Sequence, residues 1–237
     1  LRRSILVGML ATVSAFATGA AFAQNFPAKP VELVVLFPAG SAADVTARVL
    51  AEQMTKKLGQ QIVVVNKPGG GGSIGYKYAQ QKPADGYTLV FNSTSISTVF
   101  YSGLIPFDYR AFDPIARVTV ENPVIAIRAN APWKDLKAMV DDVKKRPGVV
   151  SIGNSGVGSH THISSVAFFK EINADVMHVP FGASQVVTSL LGGQIDAVVS
   201  VPSALTSHVS AGTLRIVGVL ASSREPAFPS VPTTAEA

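Results

Sequence analysis

The stretch Val31–Asp44, VELVVLFPAGSAAD, decides how the rest of the chain is read. Val31, Leu33, Val34, Val35, Leu36 and Phe37 form a nearly unbroken apolar run. That is the pattern of a parallel strand covered on both faces; a half-exposed strand would alternate. Pro38 and Gly40 break the run. Ser41 then stands where an N-cap belongs, and Asp44 follows three residues on, the spacing of a capping box. The spacing predicts a strand, a tight loop and a helix start. The first amides of such a helix have no partner inside it, and together with the helix dipole they attract anions, carboxylates included. The loop is read as one wall of a site for a small carboxylate.

Composition narrows the classes. The 237 residues carry a net charge of +5 and no cysteine, which excludes a disulfide framework and a thiolate metal site. Basic residues are scattered, the densest run being Lys144-Lys145-Arg146, and no basic stripe with interleaved aromatics argues for nucleic acid. The mild positive excess suits an anionic ligand. Arg2 and Arg3 precede an apolar run from Ile5 to Phe22, and Ala21-Phe22-Ala23 is an A-x-A cleavage pattern before Gln24. Residues 1–23 read as a cleaved secretory signal peptide. A membrane anchor is the alternative, since the run nearly spans a bilayer. No later stretch is long and uncharged enough to do so, and an exported protein is expected.

Downstream, the helix Ser41–Leu58 is predicted to turn Val45, Val49, Leu50 and Leu58 toward a core, with Gly59 ending it. Strands at Ile62–Val65 and Tyr87–Phe91 complete a β-α-β-α-β order, which implies a parallel sheet in a first lobe, residues 24–119. Ile115–Val120 is extended and crosses to a second α/β lobe, residues 120–221. There, a helix is predicted from Pro132 to about Lys145 and a strand at Val149–Gly153. The small-residue loop Asn154–Ser159 and a helix from about His160 follow. PAGSAAD in the first half and NSGVGSH in the second thus repeat one strand-loop-helix design. Placed across a cleft, at the carboxyl ends of their strands, they would aim two helix N-termini at one ligand.

Other motifs are weaker. Gly70-x-Gly72-x-x-Gly75 has the form of a dinucleotide fingerprint, but Asn66-Lys67-Pro68 separates it from its strand and the later acidic residue is missing. A tight turn with close helix packing is the better reading. Gly153–Val157 falls short of a nucleophile elbow because Val157 stands where glycine is required. Nothing pairs Ser155 with His160, His162, His178 or His208, and a secreted serine hydrolase is the second functional class. His160-x-His162 lacks a neighbouring cysteine or carboxylate, so no metal and no cofactor are expected. His162 is either a donor to a ligand carboxylate or a cleft-wall residue. Asp44 either caps its helix or orders a bridging water or an ammonium group; Ser41 is either cap or ligand donor. Phe181, at the strand-end turn Pro180-Phe181-Gly182, is the candidate for closing over the ligand.

Five segments in fixed order carry a family resemblance: 38–75 (PAGSAADVTARVLAEQMTKKLGQQIVVVNKPGGGGSIG), 83–89 (PADGYTL), 156–165 (GVGSHTHISS), 178–199 (HVPFGASQVVTSLLGGQIDAVV) and 231–237 (VPTTAEA). From Phe26 to Ala237 the chain resembles the Bug-type periplasmic substrate-binding receptors of tripartite tricarboxylate transporters. The resemblance implies a two-lobed, type II periplasmic-binding-protein fold of α/β class. It implies a periplasmic receptor without catalysis that captures a small carboxylate and delivers it to two integral membrane subunits. A receptor acting in sensing is the further alternative. It implies ligand contacts, partly through ordered waters, from Phe37, Gly40, Ser41, Ala42 and Asp44. In the second lobe it points to Ser155, Gly158, Ser159 and His162, with Phe181 and Gly182 in the PFG turn. Ser93 and Thr94, after the third strand, look cleft-facing. The family often has a second glycine and a Thr or Ser shortly before the Asp, where this chain has Ala42 and Ala43. The family also continues past the PT-x-x-EA segment. Residues 222–237 are therefore expected to begin a return to the first lobe whose C-terminal part is missing, leaving a face of the first sheet uncovered.

Overall fold

A computed structural model describes residues 26–237. The signal peptide expected over residues 1–23 lies outside the described residues. Three parallel strands, β1 (Val31–Val35), β2 (Ile62–Asn66) and β3 (Thr88–Phe91), form the first sheet in the order β2-β1-β3. The central strand is the apolar run of the opening stretch. Its alternate residues serve two cores, as a strand covered on both faces requires. Val31, Leu33 and Val35 pack with Ala47 and Ala51 of helix α1 (Ala42–Leu58). The continuation at Leu36 packs on the opposite side with Tyr76 of α2 (Ser73–Gln80) and with Ile96 and Val99 of α3 (Ser95–Tyr101).

The rotation of α1 differs from the expected one. Val45 and Val49 are 55% and 59% exposed and Leu58 is 41% exposed, while Asp44, Ala47 and Ala51 are buried. Asp44 is anchored at the helix start by groups outside the helix, described below. That anchor brings positions 44, 47 and 51, which share a helical face, onto the sheet. The two alanines then let the helix axis come close to β1. The glycine run forms a 3-10 turn, Gly70–Gly72, leading directly into α2. A Cβ on Gly75 would lie 2.7 Å from Leu36 Cδ2 and 3.0 Å from the Lys67 carbonyl, so this glycine serves close packing.

The second sheet has five strands in the order β6-β5-β7-β4-β8. They are β4 (Val124–Arg128), β5 (Ser151–Asn154), β6 (Met177–Pro180), β7 (Ala197–Ser200) and β8 (Leu214–Val219). β5 runs parallel to β6 and β7, whereas β4 runs antiparallel to β7 and β8. Helices α4 (Leu136–Lys145), α5 (His160–Glu171), α6 (Val186–Leu191) and α7 (Pro202–Ser210) flank it. One face packs Ile125, Ile127 and Ile152 against Met139 and Phe169; the other packs Val124, Ala126 and Val198 against Val186, Leu190 and Leu205. α4 starts at Leu136, not Pro132, because the Asp135 side chain accepts the Ala138 N–H at 2.8 Å and makes Asp135 the cap. Residues 232–234 lie beside β8, where the Val219 N–H donates to the Pro232 carbonyl at 2.9 Å and the Thr234 N–H to the Val219 carbonyl at 2.8 Å.

Gly153 in β5 has no room for a side chain. A Cβ there would lie 2.3 Å from Ile195 Cδ1 and 2.9 Å from Val186 Cγ2, both in the buried cluster. Gly153→Ala is expected to destabilise the chain by about 1–3 kcal/mol through overpacking, read by denaturant unfolding.

Candidate functional site

The first candidate wall is the loop between β1 and α1. Ser41 has extended backbone and its Oγ accepts the Asp44 N–H at 3.3 Å, so it is the N-cap. Gly40 has φ +79°, a conformation that excludes most other residues. Asp44 is 3% exposed. Its carboxylate receives the Gly40 N–H at 2.9 Å, Asn66 Nδ2 at 2.9 Å, and Arg48 through Nε and Nη2, both at 3.0 Å. Four donors meet the four lone-pair directions of a carboxylate. Asp44 therefore positions the loop, and neither its oxygens nor the Gly40 N–H is open to another molecule. Burial pushes the Asp44 carboxyl up. The Arg48 guanidinium, the Gly40 amide and the Asn66 amide outweigh it and hold the group below its ordinary 3.8. Asn66 also donates to the Phe37 carbonyl at 3.0 Å, tying the end of β2 to the end of β1. The amides of Ala42 and Ala43, both half-buried, have no acceptor among the described residues.

The second candidate wall repeats the design with neutral groups. Ser159 is the N-cap of α5 and its Oγ accepts the His162 N–H at 3.2 Å. The Ser155 N–H donates to Thr161 Oγ1 at 3.0 Å, and the Gly158 N–H donates to His162 Nδ1 at 3.2 Å. That last bond makes Nδ1 the acceptor, so the proton of the neutral imidazole sits on Nε2. The His160 and Thr161 amides have no acceptor among the described residues. Phe181 is half-buried against the cluster of Val186 and Ile195, and its N–H donates to the Asn154 carbonyl at 3.0 Å. Its ring thus packs into the second lobe, beside exposed Gly182.

The second loop touches α3 and the glycine turn before α2, and Leu36, at the end of β1, borders the same glycine turn. Thr98 Oγ1 lies 2.6 Å from the Gly158 carbonyl, joining the two halves. A Cβ on Gly71 would stand 3.1 Å from the Val157 carbonyl, and one on Gly72 would touch Ser95 and Leu36. Beside them Ser93 Oγ and Ser95 Oγ lie 2.6 Å apart, and the buried Tyr76 hydroxyl reaches Asn92 Oδ1 at 2.6 Å and Ser95 Oγ at 3.1 Å. Thr94 is exposed at the same turn. Open grooves beside β8, lined by Leu214, Phe228 and Val231, and along α1 and β2, lined by Thr55 and Val63, lie outside these loops.

A Ser–His contact exists between Ser165 Oγ and His178 Nδ1, at 3.3 Å, but Ser165 is fully buried. No group of three or more metal-ligating side chains occurs among the described residues. Residues 46–237 match the family described as the tripartite tricarboxylate transporter family receptor. The chain belongs to this family. BugT of Bordetella pertussis is 34% identical over 219 residues, which is 90% of this chain and 67% of BugT. MatC of Rhodopseudomonas palustris, solved with bound malate, superposes with a TM-score of 0.80 at 28% identity, over 90% of this chain and 74% of MatC. Rpa4515 of R. palustris, solved with adipate, superposes at 0.78 with 26% identity, over 90% and 72%. The receptor fold is thus that of a periplasmic solute-binding protein.

Within the receptor, sequence reasoning passed over Asn66, Arg48, Tyr76 and Thr98, which hold the loops. Asn66 carried a readable sign: a polar residue ending an otherwise apolar strand, level with the loop after β1.

Asp44→Asn keeps the shape and removes the charge that gathers the loop. It is expected to cost about 1–3 kcal/mol, given the half-exposed Arg48, in denaturant unfolding. The carboxyl is held below its unfolded value, so its contribution is present above about pH 4 and lost as pH falls through the folded value. The acid limb of the stability curve should flatten in this variant. The histidines act in a higher window. Burial holds His160, His162 and His178 below their ordinary 6.5, and for His178 the neighbouring His162 adds to it. The unfolded chain therefore takes up protons first as pH drops through about 6.5, and the melting temperature should fall between about pH 7.5 and about pH 5. His162→Asn, which retains an acceptor for the Gly158 amide, should remove part of that fall.

Proposed function

We propose that this receptor works in the periplasm, exported through the signal peptide of residues 1–23. There it captures a small carboxylate between its lobes for a tripartite tricarboxylate-type transporter with two membrane subunits. The observation that carries the reading is the pair of serine-capped helix starts, each following a strand-end loop and each with its first two amides unpaired among the described residues. The Ala42 and Ala43 amides stand on one side and the His160 and Thr161 amides on the other. Each pair is left without an acceptor by a serine cap that satisfies only the third amide. The ligand shell is proposed to comprise Phe37, Ser41 and Ala42 of the first loop with Ser93 and Thr94. Ser155, Gly158, Ser159 and His162 Nε2 complete it from the second lobe. Asp44 and Gly40 act by holding the first loop, and Phe181 and Gly182 border the second.

The malate and adipate of the two superposed structures are both diacids, which makes diacids the first class to test here. Backbone amides and hydroxyls, not an arginine clamp, hold the acid. Contacts between lobes add on closure, so the ligand favours the closed state by its differential affinity. In a thermal-shift screen, malate, adipate and citrate should include at least one acid that raises the melting temperature in proportion to the logarithm of its concentration. Raising the salt should weaken that acid only modestly, since short buried hydrogen bonds are little screened. A panel in which no organic acid moves the transition would overturn the receptor reading.

A further inference from the structure

Asn154 ends β5, immediately before the second loop, and is fully buried. Its Oδ1 accepts the Gly156 N–H at 3.2 Å and its carbonyl accepts the Phe181 N–H at 3.0 Å. Its Nδ2 has no hydrogen-bond partner among the described residues. Reversing the amide does not help, because the Gly156 N–H would then face a donor. A buried donor without a partner is costly, and such groups in native proteins call for an explanation.

The direction of the side chain follows from the pleat. Gly153 faces Ile195, Val186 and Phe181 on the α6 side of the sheet. Alternation turns Ile152 and Asn154 to the other face, where Ile152 shares a core with Phe169 of α5. Asn154 therefore lies beneath the first turn of α5. Ser155 is pinned to the same turn through Thr161, and the His160 and Thr161 amides lack acceptors there. Asn154 Nδ2 and the His160 and Thr161 amides at that helix start thus each lack an acceptor among the described residues. The loop 155–159 follows Asn154 directly, and its Gly156 and Gly158 have φ of +107° and +75°.

We infer that Asn154 is a ligand-contacting, specificity-determining residue of the second lobe, whose Nδ2 donates to an acid oxygen of the ligand when the 155–159 loop lifts. The inference rests on the receptor reading above and names the group that reads the far end of a two-ended anion. The side-chain donor adds a point of discrimination that backbone amides alone do not supply. A ligand lacking the matching oxygen leaves it unmet.

The test is calorimetric titration of malate and adipate into the wild-type chain and into Asn154→Ser, with melting temperatures taken without ligand. Serine retains an acceptor for the Gly156 amide but does not reach as far. Because Nδ2 has no hydrogen bond to lose among the described residues, the serine variant should melt within about 2 °C of the wild type and bind the preferred diacid at least about tenfold more weakly. A variant that binds within about threefold of the wild type overturns the inference and leaves the receptor reading standing. No heat from the wild type with either acid or with citrate overturns both. Should the serine variant fail to fold, the side-chain amide signals of Asn154 in the wild type, followed by NMR, read the same point. A downfield shift on saturation with the acid supports the contact, and unmoved signals overturn it.

Discussion

The carboxylate of Asp44 is the interaction on which the first half of the molecule turns. It sits at the start of α1, yet three of its partners organise distinct parts of the fold. The Gly40 amide closes the loop after β1, the Asn66 amide ties in the end of β2, and Arg48 joins from the next turn of the helix. A buried charge is tolerated only when its lone pairs are met. Meeting all of them at once leaves the helix a single rotation about its axis. That rotation places alanines against the sheet and carries the valines outward. The same saturation leaves the carboxylate with no free lone pair, while the Ala42 and Ala43 amides beside it lack an acceptor among the described residues.

The second half reaches a similar loop without a charge. Ser159, Thr161 and the neutral ring of His162 do what one carboxylate does in the first half. These bonds are individually weaker than those to a charged group. The loop they hold is also richer in glycine. The two walls of the candidate site are thus unequal in stiffness: one is clamped by a buried ion, the other is stitched by neutral contacts and touches the first through Thr98 and the Gly158 carbonyl. Closure around a ligand fits such an arrangement, with the firm wall receiving and the softer wall adjusting.

How far the sequence could be read follows from how local each determinant is. The β1-loop-α1 junction was legible because its signals lie within 14 consecutive residues, and the caps at Ser41 and Gly59 behave as their residue types require. The facing of α1 was not legible: hydrophobicity favours Val45 and Val49 as the buried stripe, and the anchoring of Asp44 by Gly40, Arg48 and the distant Asn66 decides otherwise. Helix α3 was missed because SISTVFY is rich in serine and β-branched residues, which mark helices weakly. The antiparallel course of β4 was hidden too, since an apolar run covered on both faces carries no record of its direction. Of the proposed site, the two loops could be located from spacing alone. The division between groups that bind and groups that position needed distances.

The pairing of β4 sets the timetable of biosynthesis. β1, β2 and β3 find one another within residues 31–91, so the first sheet can assemble while the remainder is still on the ribosome. β4 leaves the exit tunnel early but has its hydrogen-bonding neighbours at residues 197–200 and 214–219. An apolar strand must therefore wait about 70 further residues of synthesis for its first neighbour and about 90 for its second, which takes seconds at ordinary elongation rates. During that interval β4 is an apolar strand without its hydrogen-bonding neighbours, so the five-stranded sheet cannot close until nearly all of the second half has been made.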